Sequence, residues 1–79
     1  MSPTVCREKG YRFFFFSREE RRMHIHVVSG KGEAKFWLEP KIEMVKNQGY
    51  NLLRLHEITK LIEEDHHEFI DAWQQHFGR

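Results

Sequence analysis

His24-Ile25-His26-Val27-Val28-Ser29-Gly30-Lys31-Gly32-Glu33-Ala34-Lys35-Phe36-Trp37-Leu38-Glu39 is the stretch that decides how this chain folds. Side chains alternate across a β-strand. Ile25 and Val27 therefore share one face of the first run, with His24, His26 and Val28 on the other. In the second run Ala34, Phe36 and Leu38 point one way, and Glu33, Lys35, Trp37 and Glu39 the other. Ser29 to Gly32 join the two runs, with glycines expected to supply the positive φ of a tight turn, so a β-hairpin is predicted. Its inner face is Ile25, Val27, Ala34, Phe36 and Leu38, and its outer face carries His24, His26, Lys35 and Trp37.

Upstream, Tyr11 to Phe16 is rich in strand formers and places aromatic rings on both faces, which predicts a strand covered on both sides. Thr4 to Arg7 is read as an additional edge strand. The charged cluster Ser17 to Arg22 is read as a solvated hairpin loop. Downstream, Ile42 to Lys46 fits either a strand or a short helix and is read as a strand because Ile42 and Met44 alternate with Lys41 and Glu43, and from Leu52 the period changes. Leu55, Ile58, Ile62, Phe69, Trp73 and Phe77 fall at the three-and-four spacing of one helical face. Asn51 is the expected N-cap and Gly78 the end. The polar run Glu63 to Glu68 interrupts the stripe, which fits one long helix passing a gap or two helices broken there.

The expected fold is therefore α+β: one domain over residues 1–79, an antiparallel sheet of three to five strands over 4–46, and a C-terminal helical segment over 52–77, a long helix with a break expected near 63–68 if there is one. Seven Phe, two Trp and two Tyr among 79 residues give so short a chain the large side chains its core needs. Cys6 is the single cysteine, so no internal disulfide forms, and a reducing, cytoplasmic setting is expected. No apolar run approaches the length of a membrane-spanning helix. Residues 1–50 hold ten Lys/Arg against six Asp/Glu, and residues 51–79 three against six, so a net charge of +1 conceals a basic sheet and an acidic helical part.

The segments His24-Ile25-His26-Val27 and Gly32-Glu33-Ala34-Lys35-Phe36-Trp37-Leu38-Glu39-Pro40 resemble a family of small bacterial proteins catalogued as domain of unknown function 4160. Tyr11 to Ser17, the turn Asn47-Gln48-Gly49-Tyr50 and the closing Trp73-Gln74-Gln75-His76-Phe77-Gly78 are similar to the family pattern too. The chain has Asn51-Leu52-Leu53-Arg54 where a helix-opening Ser or Pro followed by Arg-Glu is common. The resemblance implies no settled activity. It implies a companion: members are often encoded beside another small protein, in an arrangement that resembles toxin–antitoxin pairs.

Three functions follow as expectations. The first is a protein-interaction module, a component of a toxin–antitoxin-like pair with a small companion protein; an uncovered Phe14 or Phe16 would also suit a homodimer. The second is a compact endoribonuclease or RNA-binding protein. Two imidazoles on one strand face, roughly 7 Å apart at the Cα atoms, offer a base and an acid, and a cation offers charge to a phosphorane. His24, His26 and Lys35 are the candidate catalytic residues. Arg12, Arg22 and Trp37 are the candidate nucleic-acid contacts, Trp37 by stacking a base and Arg18 and Arg21 as further phosphate ligands. The third is an autoregulatory DNA-binding protein, which the acidic helical half and the want of a helix-turn-helix pattern disfavour.

Against the catalytic reading stands a plainer one, in which the His-X-His strand only faces solvent or the C-terminal helix. The same two histidines would ligate a transition metal if Glu33, His66 or His67 supplied a third ligand, but no dedicated metal motif is present and no cofactor is expected. His66 and His67 point about 100° apart on a helix, too far to share a ligand easily. Cys6, without an activating neighbour, is read as an idle thiol.

Overall fold

The predicted hairpin forms the middle of a five-stranded antiparallel sheet in the computed structural model, which describes residues 4–16 and 22–78. The strands run β1 (Thr4–Glu8), β2 (Tyr11–Phe14), β3 (His24–Ser29), β4 (Gly32–Trp37) and β5 (Glu43–Gln48), and they lie in the sheet in chain order. Two helices follow, α1 (Leu52–Glu64) and α2 (His66–Phe77). The fold is α+β as expected, with the edge strand β1 and the strand β5 both present. Residues 17–21, including Arg18 and Arg21, lie outside the described residues.

Ser29 pairs with Gly32 across the hairpin turn, but the expected positive φ is not used at Gly30 or Gly32. Gly32 is needed for room instead: a Cβ there would overlap the Gln48 carbonyl oxygen on β5. The left-handed turn lies at β1–β2, where Lys9 and Gly10 have φ of 51° and 87°. That geometry matches the natural twist of paired strands.

The inner face is as predicted. Phe13, Ile25, Val27, Ala34, Phe36 and Leu38 join Ile58, Leu61 and Ile62 of α1 and Phe69 and Trp73 of α2 in one buried cluster. Phe13 meets Phe69 at 5.3 Å between ring centroids, and Phe15 meets Trp73 edge-on at 5.3 Å. Each such ring contributes roughly 1.5–3 kcal/mol by burial.

The helical segment breaks at one residue. The Asp65 N–H closes α1 on the Leu61 carbonyl at 3.0 Å, and the Asp65 carbonyl accepts the Phe69 N–H of α2 at 2.9 Å. His66 Nε2–H donates to the Leu38 carbonyl at 2.8 Å, which ties the start of α2 to the end of β4. The Asn51 side chain caps α1 by accepting the Arg54 N–H at 2.9 Å, and Gly78 ends α2 in the left-handed region at φ 73°. None of the described helices is long and apolar enough to cross a membrane.

Candidate functional site: the outer face of the sheet

Both helices bury their apolar stripes on the inner face, which leaves the outer face, apart from His24 against Trp73 of α2, to its own side chains. Strand pairing arranges these in rows. One row runs Arg7, Arg12, Val28, Glu33, Gln48 across the five strands, and the next runs Thr4, Phe14, His26, Lys35, Lys46. A third holds His24, Trp37 and Glu43. A β-bulge at Val45 keeps Lys46 opposite Lys35 while Met44 stands opposite Phe36, so Lys46 and Met44 face opposite sides although they are two residues apart.

Aromatic rings and cations interleave over this face. His26 stacks on Phe14 at 5.3 Å and 25°, and Phe16 meets the same imidazole edge-on at 4.5 Å. The Arg12 guanidinium lies 4.5 Å from the Phe14 ring centroid, while its Nε–H donates to Thr4 Oγ1 at 2.7 Å. Arg22 and Lys35 both lie over Trp37, at 4.3 and 4.8 Å. Arg22 Nε–H is held by the Glu39 carbonyl at 3.0 Å. Phe14, Phe16, His26, Glu33, Lys35 and Lys46 border a shallow hollow of about 270 Å³.

The structure thus brings together His26, Lys35, Arg12, Arg22 and Trp37, and it corrects the expectation for His24. Its ring is 5.1 Å from that of His26, but the residue is 0% exposed, packed edge-on against Trp73 of α2 at 5.0 Å. Its Nδ1–H donates to the Arg22 carbonyl at 2.7 Å. Of the two readings of the His-X-His strand, contact with the C-terminal helix is what His24 makes. Phe14 is likewise only 7% exposed under rings and a guanidinium of its own chain, so its burial needs no second copy; Phe16 remains 43% exposed.

One cluster was not foreseeable from spacing. Cys6 and Glu8 of β1 meet Asp65 between the helices, and their ligand atoms lie within 4.8 Å of one another. Among the described residues this is the one grouping with the reach to hold a metal ion, and neither Glu33, His66 nor His67 completes a set with His24 and His26. His67 instead lies 3.3 Å from Asp71 on its own helix. A proton shared with Glu8, then burial and repulsion from Glu8, raises the Asp65 pKa to about 6. Burial, then the charges of Glu8 and Asp65, push the Cys6 thiol up to about 12, which makes it a poor nucleophile.

A larger hollow, about 570 Å³, lies elsewhere, along α1 beside Lys9, His56, Glu57, Lys60 and Glu64. Its charges are of mixed sign and Glu57 is taken up by the Tyr11 hydroxyl at 2.7 Å, so it shows none of the outer face's convergence.

The fold and this face define a small α+β protein with an open sheet, one side of which is basic and aromatic. The chain belongs to the family described as "Domain of unknown function (DUF4160)", whose model matches residues 10–74. No curated protein and no solved structure matches it.

Proposed function

We propose that this chain is a binding module rather than an enzyme, that its working surface is the outer face of the sheet, and that it acts in the bacterial cytoplasm within a toxin–antitoxin-like pair. The observation that carries this reading is the outer face, on which Arg12, Arg22 and Lys35 are ordered over aromatic rings while the apolar stripes of both helices pack on the other side. The burial of His24 weighs against a two-histidine acid–base mechanism. A companion protein has a separate apolar surface to cover at the start of α1, where Leu52 and Leu53 are 77% and 78% exposed.

Expression in a bacterial host tests the reading. The wild-type chain alone is expected to alter growth, co-expression of the protein encoded beside it to restore growth, and Lys35→Glu/Lys46→Glu to remove the effect with the fold intact. An unchanged phenotype in that variant would refute the face as the working surface. The endoribonuclease reading keeps one supporting observation, His26 standing directly opposite Lys35. Cleavage of RNA that vanishes in His26→Ala would establish it.

A further inference from the structure

We infer that two copies of this chain associate through the β5 edge, antiparallel, with Glu43 of each copy opposite Lys46 of the other. β5 ends the sheet on one side and pairs with β4 alone, and all its residues are exposed. Among the described residues no further backbone hydrogen bond reaches residues 43–48. An open edge of this kind is a template for another strand. Lysines and bulges commonly guard such edges, and β5 has both, Lys46 and the bulge at Val45. What sets this edge apart is that it is complementary to itself.

Residues 43–46 read Glu-Met-Val-Lys. Laid antiparallel on a second copy about a two-fold axis, Glu43 comes opposite Lys46 and Met44 opposite Val45, each pair occurring twice. Residues three apart ordinarily face opposite sides of a strand. The bulge changes that: Glu43, across from Trp37, and Lys46, across from Lys35, both belong to outer-face rows. Both charge pairs therefore form on one side of the joined sheet. Met44 and Val45, 46% and 43% exposed in the single chain, meet at the centre of the junction. Among the described residues neither Glu43 nor Lys46 enters an ion pair or a side-chain hydrogen bond, so both are available to the second copy. A partner of other sequence would need this spacing of charges by coincidence, whereas a second copy supplies it by symmetry. The axis stands perpendicular to the sheet, so the five strands of each copy continue into one another and both outer faces lie on the same side. Pairing along one strand buries less than a standard interface, which makes the association weak and concentration-dependent.

Sedimentation equilibrium of the full chain in low salt, up to about 1 mM, is the test. The wild type is expected to approach twice the monomer mass as concentration rises. Lys46→Glu and Glu43→Lys should each weaken association about 10-fold or more, because each sets like charges opposite one another at both ends of the junction. Lys46→Glu also places a carboxylate opposite Lys35 within the chain, which favours the fold, and circular dichroism checks both variants. An equimolar mixture of the two variants should regain the wild-type association, since their charges are then opposite at every position. The double reversal Glu43→Lys/Lys46→Glu should dimerise like the wild type. A wild type that stays monomeric throughout, association equally strong in either single variant, or single variants that stay apart when mixed would each overturn the inference.

Discussion

His24 of β3 and Trp73 of α2 meet edge to face at 5.0 Å, so a residue that alternation assigns to the outer face is sealed by the helix that covers the inner one. His24 also touches His26 and Trp37 at 5.1 and 5.8 Å, and it thereby ties the exposed aromatic array to the core.

His24→Ala should therefore cost about 2–3 kcal/mol, from the cavity it leaves and the lost hydrogen bond to Arg22. His26→Ala, half-buried in a stack, should cost about 1 kcal/mol or less. Urea denaturation of the two variants measures the difference; equal losses would contradict the assignment of structural and surface roles.

The Asp65 pKa of about 6 in the folded chain exceeds its ordinary value of 3.8, so folding binds the proton more tightly. The stabilisation is present below the unfolded value and is lost as pH rises through about 6. Asp65→Asn cannot lose a proton. Its urea midpoint relative to wild type should accordingly rise between pH 4 and pH 7.5, and a pH-independent difference would refute the shared proton with Glu8.

Cys6, with its thiol pushed up to about 12 from 9.0, should carry about a thousandfold less thiolate at pH 8 than an ordinary cysteine. Labelling by a disulfide reagent should be correspondingly slow in the native protein and fast in urea. Rapid native labelling would show the thiol to be neither buried nor flanked by carboxylates.

Gly32→Ala should separate β4 from β5, because the added carbon has the backbone of Gln48 to displace rather than a side chain. A loss of about 1–3 kcal/mol is expected, the usual cost of overpacking. Hydrogen exchange should show protection lost first across the Glu33 to Gln48 pairing.

Asn51→Ala should cost about 1 kcal/mol by releasing the Arg54 N–H from its cap. A smaller loss by thermal melting would mean that α1 is held by its packing alone.

Much of the candidate site was legible because it depends on alternation. Lys35 and Trp37 had to share a face with His26 once the hairpin was recognised, and Arg12 had to lie beside them if β2 paired with β3. Phe14 takes its cover from His26, Phe16 and Arg12, which a count of helices does not reveal. Composition assigns a positive φ to the glycines of the Ser29 to Gly32 turn, whereas Gly32 answers to the neighbouring strand β5.

Period and capping chemistry by themselves determined the hairpin, its two faces, the helical stripe, and the Asn51 and Gly78 boundaries, since each depends on residues a few positions apart. Tertiary structure alone decided the burial of His24 under Trp73, the single-residue break at Asp65, and the meeting of Cys6 and Glu8 with that residue. Those contacts join positions roughly fifty or more apart in the chain. Sheet twist and helix docking set which of them close, and neither has a signature in local spacing.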